Sequence, residues 1–312
     1  MYITMNFNYH YYKKLTKPIY IIVFALLLFV IIGAKLGITS LVPNIKGATR
    51  WIYIGPLSIQ PSELAKYAIV ITLATLMDKR KNKIRDFKYG TLFYVVVGLS
   101  MAGLVFLQNS LSVTIIIMAV TLIMIFVAGG EFSHVFAVGI TGVAGAMAYI
   151  LSTEFRRARF LNYLDPWKDA SDVGYQLVHS LYAIGSGGFF FFFLGQSKQK
   201  ALYIPEPYND FIFSIIIEET GFLGGMLIIS LFLVLIAAGI NVAIKAKDMY
   251  GRLLATGIIS VVAIQLIINV AVVTGSMPVT GIPMPFISYG GTSMVFIMAA
   301  MGIVLNIAKV SK

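Results

Sequence analysis

The chain has 312 residues, 59% of them hydrophobic and 12% charged, against roughly 45–50% and about 25% in a soluble domain, so it reads as a membrane protein. The absence of Cys excludes a disulfide scaffold, a Cys-ligated zinc or iron–sulfur centre and a thiol nucleophile, and three scattered His leave no His-rich metal site. A net charge of +11 would suggest nucleic acid in a soluble protein; here its placement in loops makes it a topological signal, and no nucleic-acid partner is expected.

Eight stretches can cross about 30 Å of hydrocarbon at about 20 residues each: near 18–36, 62–78, 89–107, 110–129, 134–152, 211–243, 253–275 and 289–308. The expected fold is an all-α polytopic integral membrane protein of about eight transmembrane helices, forming one membrane domain over 1–312. The first stretch is followed by Lys35 with no small-residue cleavage site, so it is not a cleavable signal peptide. The stretch 211–243 is too long for one simple span and holds Glu218, Glu219, Gly221, Gly224 and Gly225, so a broken or tilted element is predicted there.

Placing the N-terminus in the cytoplasm puts 14 of the 24 basic residues inside, six of them between Lys79 and Lys88, and leaves only Lys35, Lys46 and Arg50 in short external loops. The positive-inside rule therefore orients both termini to the cytoplasm. Residues 153–210 then form one long extracytoplasmic loop with six basic and six acidic residues. Within it Tyr175–Tyr182 reads as an amphipathic helix, and the run Phe189–Phe193 as a segment dipping toward the apolar phase.

Four places carry candidate chemistry. In Gln60-Pro-Ser-Glu63-Leu-Ala-Lys66, Pro suits a first helical turn, Glu63 complements the positive helix end, and Glu63 and Lys66 stand one turn apart, as a structural pair or a functional one. Asp210 opens an apolar helix, which fits a cap; its spacing with Ser214 and Glu218 also predicts a polar stripe along one helical face, and a carboxylate at a cavity mouth can act as general base. The segment Gly275–Gly291 has three Pro and too many Gly for a helix, yet is apolar, so burial is predicted over a surface loop. Arg50, Arg156, Arg157 and Arg159 offer guanidinium groups suited to phosphate or pyrophosphate, or to lipid headgroups.

Together these segments resemble the SEDS family, the RodA-, FtsW- and SpoVE-like glycosyltransferases of bacterial cell-wall synthesis. The matching strings, in order over about 45–308, are Gly47-Ala-Thr-Arg-Trp-Ile52; Gln60-Pro-Ser-Glu63 with Lys66; Arg159 through Leu164-Asp-Pro-Trp167; Gly174-Tyr-Gln176 and Ser180 to Gly188; Gly195-Gln-Ser-Lys-Gln-Lys200; Pro205-Glu206, Asp210-Phe-Ile-Phe213 and Glu218-Glu219; and Pro283-Met-Pro-Phe-Ile-Ser-Tyr-Gly-Gly291. The resemblance implies polymerisation of lipid II into glycan strands with release of undecaprenyl pyrophosphate, in elongation, division or sporulation. It implies a multi-pass location in the bacterial plasma membrane and a class B penicillin-binding protein as partner.

By the same resemblance Asp210 is the catalytic carboxylate, and Arg50, Glu63, Lys66, Arg159, Gln176, Lys200, Glu206, Glu218 and Ser288 form the substrate-binding set. No cofactor is called for, and a divalent cation is left open. Three departures stand out: family members usually have ten spans, so the chain reads as lacking the first two; the family's Gln-Pro-Asp-Leu-Gly-Thr string is here Gln108-Asn-Ser-Leu-Ser-Val-Thr114; and Phe191 and Phe193 stand at usual glycine positions. Two alternatives are a lipid II flippase and a weakened paralogue that binds a partner without turnover.

Overall fold

The computed structural model describes residues 1–44, 49–55, 57–152, 157, 160–161, 163–170, 174–190, 197, 199 and 208–311. Its described residues form helices α1 Tyr2–Asn6, α2 His10–Lys35, α3 Pro61–Lys79, α4 Leu92–Leu107, α5 Leu111–Val127, α6 Phe132–Leu151, α7 Tyr175–Ser186, α8 Ile212–Lys245, α9 Met249–Val273 and α10 Gly291–Ser311. All eight apolar stretches read from the sequence are helices. Six meet the length and hydropathy needed to cross a membrane: α2, Phe87–Leu107, α6, α8, α9 and α10. The chain is a polytopic helical membrane protein.

One departure from an all-α reading is a hairpin, β1 Ile52–Ile54 paired antiparallel with β2 Leu57–Ile59 in the register Ile52↔Ile59. Isoleucines in a short Ile-Tyr-Ile run favour extended backbone, and Gly55, at φ 61, turns the chain. Ile52 packs with Val30 and Val42, so the hairpin is fastened to the end of α2.

The chain divides into two compact units: residues 1–139, 237–262 and 291–312, and residues 140–236 and 263–290. In the first, α3 is the central helix, with 14 of its 19 residues buried. α2 buries only one stripe, Thr16, Val23, Leu27, Val30 and Gly33, spaced as a helical face should be; Ile21, Ile22 and Ile32 point outward. Interhelical hydroxyl bonds lock this packing, Thr16 with Thr75 at 2.8 Å and Tyr20 with Ser100 at 2.6 Å. In a bilayer such bonds and close packing supply what apolar burial alone does not.

The N-terminal segment is tied to the last helix: buried Asn306 accepts the Tyr9 amide at 2.9 Å and donates to the Met5 carbonyl at 2.7 Å. Tyr9 also donates its hydroxyl to Asp248 at 2.5 Å; burial and the adjacent carboxylate push this phenol above its usual range.

In the second unit the predicted amphipathic helix appears as α7, with Leu177, Val178, Ser180 and Ala183 buried. Its Ser180 hydroxyl donates to the Val273 carbonyl at 2.9 Å, fixing α7 on the end of α9.

Candidate functional site

The predicted break in α8 falls at Gly221, with φ 72 and ψ −179, a conformation that essentially only Gly adopts. Breaking the helix frees the amides that follow, and the preceding segment satisfies them: Phe222 donates to Gly188 O at 3.0 Å and Leu223 to Phe189 O at 3.4 Å. The backbones approach so closely that a β-carbon on Gly221 would lie 2.7 Å from Phe190 O, and one on Gly187 2.1 Å from Ile217 O. Glu218, one turn before the break, accepts the Ser197 hydroxyl and, at 3.4 Å, the Gln199 amide, while His179 and Gln199 pair side chain to side chain at 2.8 Å. Glu218 therefore ties Ser197 and Gln199 of the long loop to α8.

Asp210 lies in the turn Tyr208–Asp210 that precedes α8. The amides of Ser214 and Ile215, in the first turn of that helix, bond to Phe211 O at 3.1 and 3.4 Å. Phe211 is thus the cap, and Asp210 sits one residue outside the helix. This corrects the predicted stripe of Asp210, Ser214 and Glu218. Ser214 is buried and returns its hydroxyl to Phe211 O at 2.7 Å, whereas Glu218 reaches Ser197 and Gln199 beyond α8. The turn takes Asp210 out of the helix, so helical spacing does not extend from Ser214 back to it.

The Asp210 carboxylate is half-buried, and beneath it lies Gly281 in the left-handed region at φ 67, where a β-carbon would stand 3.3 Å from Asp210 Oδ2. Gly281, itself exposed, belongs to the Pro-rich segment 275–290, which is buried only in part: Ile282, Met284, Pro285 and Ser288 are buried, whereas Ser276 and Tyr289 are exposed. Proline supplies no N–H, so this segment cannot make its own ladder; neighbouring groups satisfy it instead. Asn269 of α9, 1% exposed, donates both amide hydrogens, to Asp210 O and to Ile282 O, each at 2.8 Å. Ser288 donates to Asn209 O at 2.5 Å and accepts the Met284 amide at 2.7 Å. The Tyr289 amide reaches Tyr208 O at 2.8 Å. Residues 208–210 and 281–289 are therefore stapled together with the carboxylate between them.

Two predicted residues, Asp210 and Ser288, come together in this arrangement, and the hydroxyl of Ser288 is occupied by backbone groups. Gln176 sits half-buried in the first turn of α7. Sequence reasoning missed Asn269. Its signal was present: Gln265 and Asn269 are the two polar residues, one helical turn apart, in the apolar run Val261–Val273, and both are buried.

In the first unit Glu63 and Lys66, 3% and 1% exposed, form a buried pair in which Lys66 Nζ bonds both carboxylate oxygens, at 2.8 and 2.9 Å. Ser293, in the first turn of α10, adds a third bond to Glu63 Oε2 at 2.7 Å. Placing Glu63 in the first turn of α3 aligns it with the positive end of that helix. Arg50 donates from Nε to Gln108 O at 3.2 Å and from Nη2 to Asn109 O, so its guanidinium covers the C-cap carbonyl of α4 and the one that follows it, near the negative helix end. Arg159, Lys200 and Glu206, with Arg156, Phe191 and Phe193, lie outside the described residues. Among those described, no three His, Cys, Asp or Glu converge as a metal-ligand set.

A polytopic helical protein with a carboxylate beside a partly buried, proline-rich segment is the class defined by this geometry. The family model covering FtsW, RodA and SpoVE, described as a cell cycle protein, matches residues 1–312, and the chain belongs to that family. Stage V sporulation protein E of Bacillus subtilis (strain 168) is 41% identical over 312 residues, covering 100% of this chain and 84% of that protein. A probable peptidoglycan glycosyltransferase FtsW of Geobacter sp. (strain M18) is 37% identical over 306 residues, covering 98% and 82%. Among solved structures, a chain from a study of the structural coordination of polymerization and crosslinking by a peptidoglycan synthase complex superposes with a TM-score of 0.83 at 26% identity, covering 99% of this chain and 85% of that one. Rod shape determining protein RodA of Thermus thermophilus matches with a TM-score of 0.71 at 26% identity, over 99% and 82%.

Proposed function

We propose that the chain is a membrane glycosyltransferase that polymerises lipid II into glycan strands and releases undecaprenyl pyrophosphate. The observation that carries this reading is half-buried Asp210, whose main chain is stapled through the carbonyls of residues 209 and 210 and whose carboxylate is backed by the bare Gly281, in a family whose relatives are named peptidoglycan glycosyltransferases. Asp210 accepts the proton of the acceptor sugar hydroxyl as that oxygen forms a bond to the donor's anomeric carbon. The bond from that carbon to the pyrophosphate oxygen breaks, and the electron pair leaves with undecaprenyl pyrophosphate. A rigid carboxylate suits this role, because the base must stand at hydrogen-bond distance from the attacking hydroxyl without paying to reorganise.

The buried Glu63–Lys66–Ser293 triad, whose groups are already paired, serves to fix the start of α3 against α10. Of the basic positions that the resemblance matches, Arg50, Lys66 and Lys200, the one in the long loop, Lys200, is assigned to pyrophosphate, with Arg159 of the same loop as a further guanidinium suited to it. The working assembly includes a single-pass class B penicillin-binding protein that cross-links the product, with both termini of this chain in the cytoplasm and residues 153–210 outside. The experiment is to incubate the purified chain, alone and with a co-expressed class B penicillin-binding protein, with fluorescent lipid II and resolve the products on a gel. Polymer is expected from the wild-type chain and none from a well-folded Asp210→Asn protein, since the amide keeps the shape and loses the proton acceptor. Wild-type levels of polymer from Asp210→Asn would end this reading.

A further inference from the structure

The reaction needs the carboxylate of Asp210 in one place, and Asp210 lies in the turn that precedes α8. Among the bonds that hold its turn are those from Asn269, Ser288 and the Tyr289 amide. Of these only Asn269 bonds the carbonyl of Asp210 itself, and only Asn269 reaches the turn from a regular helix. Its two hydrogens go to Asp210 O and Ile282 O, so one planar amide sets the spacing between the carboxylate's own peptide group and the residue beside Gly281, its floor. The assignment of the amide follows from these acceptors: reversing the group would press its oxygen against two carbonyl oxygens. The oxygen points into protein and has no partner among the described residues. A buried polar side chain in α9 is costly to keep unless its donors are used, and both of them are spent on this one junction.

We propose that Asn269 is a positioning residue for glycosyl transfer, holding Asp210 at a fixed distance from the 281–289 segment. The inference rests on the reading of Asp210 as the general base. Asn269 touches neither sugar; it acts through the backbone of residue 210. Ser288 tethers the adjacent carbonyl, so the two side chains share one task, and losing both should cost less than the product of the separate losses.

The test compares the wild-type chain, Asn269→Ala, Ser288→Ala, the double variant and Asp210→Asn in nanodiscs with fluorescent lipid II, measuring kcat, KM and deuterium uptake. Displacing a catalytic group by about 1 Å costs up to roughly 100-fold, so Asn269→Ala should lower kcat about 10- to 100-fold while KM for lipid II stays within about threefold. Peptides covering 281–289 should exchange faster, and those of α3 should not. If Asn269→Ala does not yield monodisperse protein, Asn269→Ser is read in its place: it keeps one donor, and an intermediate loss of kcat is expected. Wild-type kcat in a variant with dead Asp210→Asn overturns the role of Asn269 alone. Loss of kcat in step with the fraction of folded protein, with unchanged exchange at 281–289, overturns it as well. An active Asp210→Asn instead removes the base, and with it the catalytic meaning of the positioning.

Discussion

Replacing Lys66 by Met is the sharpest perturbation of the membrane core. In the intact chain Glu63 accepts two bonds from Lys66 and one from Ser293, with both charged residues almost wholly buried. Met fills nearly the volume of the Lys stem, so the change removes charge and donors and leaves little cavity. What remains is a buried carboxylate with the Ser293 hydroxyl and the first turn of α3 for company. Breaking one side of a buried ion pair costs about 3–5 kcal/mol, an upper figure where the widowed Glu63 can take up a proton. With about 2–4 °C per kcal/mol for chains of 150–250 residues, and somewhat less for one this long, the melting temperature in detergent should fall by roughly 5–15 °C. Glu63→Gln should cost less, because the amide oxygen can still accept from Lys66 or Ser293. Glu63→Leu combined with Lys66→Met should recover most of the loss, since no charge is left buried. Thermal unfolding followed by tryptophan fluorescence or by the monodisperse fraction after heating reads this out. If Lys66→Met melts within about 2 °C of wild type, the pair is not the buried, mutually dependent unit described, and the energetic reasoning fails.

Gly221→Ala would force a side chain into a Gly-only backbone conformation and set its β-carbon 2.7 Å from Phe190 O, so the variant should lose most of its monodisperse yield on size exclusion, whereas Gly103→Ala, in open space, should not. For topology, the cysteine-free chain allows single Cys at Ser171 and Ser311 without background: impermeant thiol reagent on intact cells should label the first and spare the second, and the reverse pattern would invert the proposed orientation. Activity should follow Asp210 and not Arg50: Arg50→Lys, which exchanges a fork over two carbonyls for a single ammonium, should lower stability by about 1 kcal/mol and leave kcat within about threefold, measured in the same lipid II assay.

Much of this protein is written in its linear pattern. Hydropathy located all eight long helices, because a segment crossing hydrocarbon must satisfy its own backbone and carry apolar side chains regardless of its neighbours. The break in 211–243 was legible from Gly221 beside two Glu, and the partial burial of 275–290 from prolines set among apolar residues. Asp210 could be singled out as the acidic residue at the mouth of a long apolar helix. Tertiary structure alone decided what those residues do. Asn269 lies 59 positions from Asp210 and 13 from Ile282, and helical periodicity carries no information about a bond formed between separate segments. The turn at 208–210 moved Asp210 off the helix on which its spacing with Ser214 and Glu218 had placed it. Arg50 covers carbonyls at the end of α4, and Ser293 completes the Glu63–Lys66 pair from a helix 230 residues away. Local pattern determines which segments are helical and apolar; the pairing of polar groups between segments depends on how they come together, because each buried donor takes whichever acceptor the packing brings within reach.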